Sequence, residues 1–245
     1  MTNRFYLDAA VSTLSEKQAV IGGDEAHHFV RVMRGKIGDK IILFDGNGFV
    51  YHGTVEIIAK NTVIVSLTEK QKDEIESPLR LTVACPLPKG ERQRFLVEKL
   101  AELGVADFIP LALQRSVARA TPSSTERFRR YVIEAAKQCG RNVLMNVANE
   151  ITLPEFVKQL SDEHYRLILH PVSLGAAGQI TVKELLAVEL PRHIAVLIGP
   201  EGSFTDGEVD TAIQNGFTAL DLGARILRTE TAAVAAAALL LTDAG

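Results

Sequence analysis

Apolar and polar positions alternate differently in the two parts of the chain, and the difference predicts two architectures. In the N-terminal part, three strand-like runs rich in β-branched and aromatic residues lie near 40–44, 49–58 and 63–67. Turn sequences, DGNG and AKN, separate them. Runs of this length and composition, bounded by such turns, are typical of a small β-barrel or meander. One short helix is predicted before them, capped by Asp24 and ended by Gly35.

The second part of the chain alternates strand-like and helix-like segments. A polar, charged segment closed by proline, Glu69–Pro78, has the composition of a linker. After it, short apolar runs alternate with amphipathic segments, among them predicted helices near 91–104 and 124–140. This alternation predicts a parallel sheet with helices on both faces. The sequence therefore predicts an α/β protein with two domains, 1–72 and 73–245.

Composition favours a globular protein without a membrane span. Of the 245 residues, 47% are hydrophobic and 23% charged. The first twenty residues hold no apolar stretch long enough for a signal peptide. The longest apolar run, Ala232–Leu241, has ten residues, whereas a bilayer requires about 20. We expect a cytoplasmic protein.

No metal site is predicted. Cys85 and Cys139 have no cysteine or histidine at metal-ligand spacing, so we expect two free thiols. His27 and His28 are adjacent on a predicted helix, where neighbouring side chains do not share a face. A phosphate-facing patch is the better functional interpretation of these histidines.

Charge is unevenly distributed along the chain. The formal net charge is −3, yet the segment Arg115–Arg141 holds seven basic and two acidic residues. A local basic patch of this kind is what nucleic-acid contacts use. A solvated helix face explains the same pattern, and the sequence leaves both readings open.

The sequence IGPEGSFTDGEV, residues 198–209, joins a buried strand to a helix. The apolar run 194–198 suits a strand buried on both faces of a parallel sheet. Thr205 and Glu208 have capping-box spacing, so a helix is predicted to begin there. The glycines of residues 198–209 serve either a tight connection or a ligand site, since open α/β proteins bind ligands where strands end.

A second glycine-containing loop repeats this arrangement. The sequence FTALDLGARILRTETA, residues 217–232, runs from a predicted strand through Gly223 into a helix. With the end of the predicted strand 167–171, three loops would meet at one sheet edge and grip a ligand mainly by main-chain groups. Neither a G-x-x-x-x-G-K-[ST] motif nor a G-x-G-x-x-G after the first strand occurs, so the usual nucleotide motifs are absent.

These motifs resemble those of a known family. IGPEGSF and LDLGARILRTETA, preceded by EKLAELGV and AAKQCGR, resemble the ribosomal RNA small subunit methyltransferase E family. These enzymes belong to the SPOUT superfamily of S-adenosylmethionine-dependent RNA methyltransferases and methylate N3 of one uridine in small-subunit (16S) ribosomal RNA. The resemblance covers the whole chain, including the opening Arg4-Phe5-Tyr6 of an N-terminal PUA-like β-barrel. The chain departs from the family at Ser203, where glycine is expected, and in KQCGR, where EQSGR is commoner.

The resemblance implies a SPOUT-type parallel-sheet domain with a trefoil knot, a homodimer, and S-adenosyl-L-methionine as cofactor. A knot would not follow from general folding rules, because threaded chains are very rare. Carried onto this sequence, the residues implied to hold the cofactor are Leu169, His170, Gly199, Pro200, Glu201, Gly202, Leu222, Gly223, Ile226, Leu227 and Thr229.

Two residues are predicted to take part in catalysis. A uridine N3 must lose its proton before or during attack, and Glu201 is the predicted base. Arg228 is predicted to stabilise negative charge on the uracil oxygens. Structural roles remain open for both, because Glu201 could cap a nearby helix and Arg228 could pair with Glu230 or with a carboxylate of a second subunit.

Ribosomal RNA is the predicted partner, bound through phosphate contacts with the target base flipped out into the pocket. The predicted RNA-binding residues are Arg4, Arg31, Arg34, Lys36, Lys89, Arg92, Arg115, Arg119 and Arg141. Three alternatives remain: a non-catalytic RNA-binding or ribosome-assembly protein, a SPOUT methyltransferase that acts on another RNA such as tRNA, and a nucleotide-using α/β hydrolase.

Overall fold

The computed structural model of the chain describes residues 3–72, 75–170, 179–185, 187–189 and 191–242. The chain divides into two compact units. The first comprises Met1–Glu76 and Ile133–Leu144, and the second comprises Ser77–Val132 and Met145–Gly245. These units differ from the two predicted domains, because residues 133–144 belong with the N-terminal unit.

The first unit is built on a six-stranded sheet that is antiparallel except for its β1–β4 pair. Its strands are β1 (Arg4–Tyr6), β2 (Thr13–Leu14), β3 (Gln18–Ile21), β4 (Lys40–Phe44), β5 (Phe49–Ile58) and β6 (Val63–Lys72). They are arranged in the order β1-β4-β5-β6-β3-β2. The three predicted strands are confirmed, and β6 runs five residues beyond the predicted end.

Apolar side chains from alternate strand positions form the core of this unit. Phe5, Phe29, Leu43 and Val65 are at most 1% exposed and belong to one cluster that the sheet curls around. Phe5 and Phe29 meet edge to face, with ring centroids 5.5 Å apart. Over residues 51–56 of β5, buried positions alternate with more exposed ones, as the two-residue period of a strand requires.

The predicted helix before β4 is present, but its ends differ from the prediction. Helix α1 (Gly23–His27) continues into a wider helical segment, His28–Val32. Its N-cap is Gly22, without a side-chain cap, so Asp24 lies inside the first turn. The left-handed residue after the helix is Arg34, with φ 54°, and not Gly35.

Gly35 is needed for close packing. A Cβ atom there would lie 2.1 Å from Cζ of Phe29, so any side chain would collide with the ring. The glycine lets the chain pass over the aromatic core.

A buried ion pair attaches residues 133–144 to α1 of this unit. Lys137 Nζ lies 2.9 Å from a carboxylate oxygen of Glu25, and the two side chains are 9% and 13% exposed. Burial raises the pKa of Glu25, and the charge of Lys137 opposes that rise. Beside the pair, Ala136 packs against Tyr6 and Phe44.

The second unit holds an eight-stranded sheet in which every strand pair is parallel. Its strands are β7 (Arg80–Cys85), β8 (Asp107–Ala112), β9 (Asn146–Val147), β10 (Ile151–Thr152), β11 (His164–Leu169), β12 (Gln179–Thr181), β13 (His193–Ile198) and β14 (Thr218–Asp221). They follow the order β10-β8-β7-β13-β11-β14-β12, and β9 pairs with β8. The predicted α/β class is confirmed.

The described residues form six further helices. They are α2 (Arg92–Glu102), α3 (Pro122–Cys139), α4 (Leu153–Gln159), α5 (Val182–Leu185), α6 (Asp206–Gln214) and α7 (Thr229–Thr242). As predicted, α2 ends at a left-handed glycine, Gly104, with φ 95°. Helix α7 packs on α2 and on β7 and β13, and its Ala233, Ala236 and Ala237 are fully buried, which permits close backbone approach. Among the described helices none is long and apolar enough to cross a membrane.

The close approach at Gly35 can be tested by adding one methyl group. We expect Gly35→Ala to lower the free energy of unfolding by about 1–3 kcal/mol, because the ring of Phe29 must move. The matched control is Gly207→Ala in α6, where a Cβ meets nothing within 4 Å and alanine is the better helix former. Urea unfolding of both variants measures the difference; an equally stable Gly35→Ala would contradict the packing described.

Candidate active site

Three parallel strands end level with one another in the second unit. Leu169 at the end of β11 pairs with Ile198 of β13 on one side and with Leu220 of β14 on the other. The chain therefore leaves all three strands at the same sheet edge. The points at which the three predicted loops begin are therefore brought together, as parallel pairing requires.

A cleft that is partly open to solvent lies between these loops. Ten of the eleven residues predicted to hold the cofactor line it; Gly202 does not. The residues lining it are Leu169, His170, Ile198, Gly199, Pro200, Glu201, Ser203, Phe204, Leu220, Asp221, Leu222, Gly223, Arg225, Ile226, Leu227, Thr229 and Ala232. Pro171, which the sequence placed in the first loop, lies outside the described residues.

The second loop, after β13, is a tight turn closed by its own backbone. The Ser203 amide donates to the Pro200 carbonyl at 2.8 Å, and Ser203 adopts φ 61°. This left-handed conformation explains why glycine is expected at position 203, since glycine adopts it without a steric cost. A Cβ on Gly199 would lie 2.9 Å from the ring of Phe204. The predicted capping box of Thr205 and Glu208 then begins α6.

The third loop, after β14, is fixed at both ends. The Asp221 carboxylate accepts from the Gly223 amide at 2.7 Å, and Gly223 has φ 101°. At the other end, the Thr229 hydroxyl donates to the Gly199 carbonyl at 2.9 Å. This bond joins the third loop to the second and sets the width of the cleft between them.

One guanidinium group connects the second loop to α7. Nη1 of Arg92 lies 3.0 Å from Glu201 Oε1 and 3.3 Å from Glu230 Oε1. Desolvation lowers the pKa of Arg92, but the hydrogen bonds and charges of Glu230 and Glu201 outweigh it and raise the pKa above its ordinary value. Glu230 thus pairs with Arg92 and not with Arg228. A pair between Arg228 and Glu230 was the structural alternative to a catalytic role for Arg228. Beneath the cluster, burial and the nearby Glu230 charge raise the pKa of the Cys85 thiol.

The two predicted catalytic residues are placed differently. Glu201 lines the cleft, whereas Arg228 is exposed and does not. Arg225, in the same loop, does line the cleft and was missed. Its position two residues after Gly223 was the available signal, because a glycine turn directs the following residues over the ligand site.

Several predicted RNA-binding side chains are already committed within the chain. Arg141 is 5% exposed and forms a double hydrogen bond with Glu76, both at 2.8 Å, so it cannot reach a phosphate. Arg4 donates to the Gly140 carbonyl at 3.0 Å and to the Asn142 side chain. Both side chains stabilise the N-terminal unit, which corrects their assignment as RNA contacts.

Two further predicted RNA contacts hold structural partners. Arg115 donates to the carbonyls of Gly202 and Phe204, at 2.8 and 3.2 Å, and so supports the second loop. Arg119 lies 3.4 Å from Glu150 but stays 60% exposed. The remaining predicted RNA-binding residues, apart from Arg92, are exposed: Arg31, Arg34, Lys36 and Lys89.

No metal-binding cluster occurs in the part of the chain that the structure describes. Both cysteines are free, Cys85 buried and Cys139 exposed. The ionisable side chains that line the cleft are those of Glu201, Asp221, His170 and Arg225.

Two family models match the chain. A model described as an RNA methyltransferase domain matches residues 75–241, and one described as an RNA methyltransferase PUA domain matches residues 21–68. The parallel sheet with its cleft and the curled N-terminal sheet thus define a two-part RNA methyltransferase.

Named relatives narrow the class. Ribosomal RNA small subunit methyltransferase E of Synechocystis sp. is 32% identical over 234 residues, which cover 96% of this chain and 76% of the relative. The Bacillus subtilis enzyme of the same name is 30% identical over 236 residues, 94% and 92% of the two chains. The chain belongs to the ribosomal RNA small subunit methyltransferase E family.

A solved structure agrees with this assignment. The family member from Neisseria gonorrhoeae, solved bound to S-adenosyl methionine, is 29% identical with a TM-score of 0.85. The similarity covers 99% of this chain and 98% of that one.

The bond between the two cleft loops can be tested with an isosteric change. We expect Thr229→Val to lower the free energy of unfolding by about 0.5–1.5 kcal/mol, because the part-buried hydrogen bond to the Gly199 carbonyl is lost. Thr211→Val is the control, since the Thr211 hydroxyl makes the same kind of bond to Gly207 in an exposed setting. Equal losses in thermal unfolding of the two variants would contradict the special role of Thr229.

Proposed function

We propose that the protein is an S-adenosylmethionine-dependent methyltransferase that methylates N3 of a specific uridine in small-subunit ribosomal RNA. The observation that carries this proposal is the convergence of three strand-end loops on one cleft, lined by ten of the residues that the family resemblance implies. Family membership supports the RNA substrate, and the cofactor-bound relative supports the cofactor.

The lining of the cleft fits S-adenosylmethionine in its chemistry. Leucine and isoleucine side chains of the third loop offer apolar surface, while Gly199 and Gly223 leave main-chain groups accessible. Nδ1 of His170 is buried and has no hydrogen-bond partner among the described residues, so a ligand group would satisfy it. We propose that Leu169, His170, Gly199, Pro200, Glu201, Gly202, Leu222, Gly223, Ile226, Leu227 and Thr229 hold the cofactor. When bound, the cofactor supplies an electrophilic methyl group on a sulfonium.

Glu201 is the proposed proton acceptor. Arg92 contacts Oε1 of this carboxylate, while Oε2 makes no hydrogen bond with a described residue. Oε2 is therefore available to accept the N3 proton of a uracil placed in the cleft. A side chain in such a role contributes about 100- to 10,000-fold in rate.

A positive charge near the uracil oxygens would stabilise the deprotonated base. We propose Arg228 for this role, as its exposed side chain stands at the start of α7. Arg225 is the second candidate, because it lines the cleft. Activity of the two alanine variants would rank them.

The N-terminal unit is proposed to hold the RNA. Arg31, Arg34 and Lys36 are exposed within six residues of one another. They lie in and just after the helical segment that carries exposed His27 and half-exposed His28. Lys89 is exposed just before α2. Contacts of these cations with phosphate would position the RNA, while the cleft reads the base.

Further proposals rest on the family resemblance. We propose a trefoil knot in the C-terminal domain, a homodimer with each site near the subunit boundary, and a cytoplasmic location. We also propose that 1–72 serve as the RNA-binding domain and 73–245 as the methyltransferase domain. A non-catalytic assembly protein would keep the exposed cations but would have no use for a cleft lined by Glu201 and bare backbone.

Replacement of Glu201 tests the catalytic proposal. We expect Glu201→Gln to lower kcat by at least about 100-fold, since an amide cannot accept the N3 proton. Calorimetry with S-adenosylmethionine should show cofactor binding by both proteins. Labelled cofactor is incubated with undermethylated 30S particles, free ribosomal RNA and tRNA, and the modified base is mapped. Cofactor binding without methylation of any RNA by the unaltered protein would favour the non-catalytic alternative.

Salt dependence tests the RNA surface. Neutralising Arg31, Arg34 and Lys36 together should reduce the slope of log affinity against log salt by about 2–3, as each lost phosphate contact removes about 0.7–0.9. Lys60→Ala is the control, because Lys60 is exposed in the β5–β6 turn of the same unit. An unchanged slope in the triple variant would place RNA binding elsewhere.

A further inference from the structure

The guanidinium of Arg92 is shared between two carboxylates of unequal burial. The Glu230 side chain is 6% exposed and the Glu201 side chain is 32% exposed. Both accept from the same nitrogen, Nη1. The arrangement joins three elements of the second unit: the first turn of α2, the second loop and the first turn of α7.

Glu230 is the anchor of this cluster. It belongs to α7, whose neighbouring residues Thr229 and Ala233 are at most 3% exposed. A buried carboxylate requires a cation or donors, and Oε2 of Glu230 has no hydrogen-bond partner among the described residues. Arg92 therefore cannot leave Glu230 without stranding a buried charge, so its position is fixed by the core.

Glu201 depends on Arg92 for its orientation. Its carboxylate makes no side-chain hydrogen bond to any other described residue, and it sits in a turn between Pro200 and Ser203. We propose that Arg92 is a positioning residue for methyl transfer: it holds Oε1 of Glu201 so that Oε2 faces the uracil N3. This inference rests on the proposed function, because Glu201 is the proposed proton acceptor.

The proton transfer that Arg92 would support is balanced without another reactant. The N3–H bond breaks, an O–H bond forms on Glu201 Oε2, and the electron pair stays on N3 as the nucleophile. Arg92 touches neither the base nor the cofactor in this step. Its contribution is to keep the carboxylate within reach of the proton, and a misplacement of about 1 Å can cost about 100-fold in rate.

The same cluster argues against the predicted role of Arg92 as an RNA contact. Two carboxylates surround one guanidinium, so the group as a whole carries a negative formal charge. Both carboxylates accept from Nη1 of Arg92, so a phosphate would have to approach the other guanidinium nitrogens against the negative charge of Glu201 and Glu230. The two roles of Arg92 therefore predict different kinetic changes.

A double-mutant cycle separates the two roles. Arg92→Met, Glu201→Gln and the double variant are compared by kcat, by KM for undermethylated 30S particles and by the Kd for S-adenosylmethionine. We expect Arg92→Met to lower kcat about 10- to 100-fold with KM and Kd nearly unchanged. The double variant should be no slower than Glu201→Gln alone, because Arg92 acts through Glu201.

The same helix, α2, offers a control variant for this test. Arg94→Met is the matched control, since Arg94 pairs outward with Glu98 at 2.7 Å and is 55% exposed; it should retain kcat. A raised KM with unchanged kcat in Arg92→Met, or losses that add in the double variant, would overturn the inference. If Glu201→Gln keeps full kcat, the proposed base is wrong, which is a distinct failure.

A second variant keeps the test decisive if Arg92→Met does not fold. Arg92→Lys retains a cation for Glu230, but a single ammonium lacks the planar fork that arginine offers to carboxylates. We expect it to fold and to show a smaller loss of kcat that is again absent in the Glu201→Gln background. Full activity of a folded Arg92→Lys variant, with raised KM for 30S particles, would count against the positioning role.

Discussion

The level ending of three parallel strands is the constraint on which the candidate site depends. Because Leu169, Ile198 and Leu220 are paired side by side, the loops that follow must leave the sheet together. Parallel pairing brings together backbone that is up to about fifty residues apart in the chain, as in the βαβ units of other α/β proteins. The hydrogen bond of the Thr229 hydroxyl and the ion pair of the Arg92 guanidinium then fix the distance between the loops more closely than strand pairing alone does.

Charge illustrates the difference between composition and function in this protein. The segment Arg115–Arg141 is strongly basic in sequence, yet Arg115 supports the second loop and Arg141 is buried against Glu76. Their partners lie 87 and 65 residues away along the chain, so no local pattern could reveal them. Arg31 and Lys36, which lie outside that segment, stay exposed.

The sequence predicted the regular elements where local patterns are strong. The long strands β5 and β13 follow from periodicity and apolar content, and α6 follows from its capping box. The short strands β9 and β10 were missed because two residues carry no period. Helix α4 was missed although Thr152 and Glu155 form a capping box, a signal that was present in the sequence. The cofactor loops were located through resemblance and glycine chemistry, whereas the Arg92 cluster required the tertiary structure.

The attachment of residues 133–144 to the N-terminal unit limits how the protein can be divided. A fragment that stops at residue 72 would lack Lys137, leaving the buried Glu25 carboxylate without its cation and uncovering the side of Phe44 that Ala136 packs against. An unpaired buried charge of this kind is strongly destabilising. The unit that is proposed to bind RNA is therefore not autonomous: its core is complete only when the chain extends through residue 144.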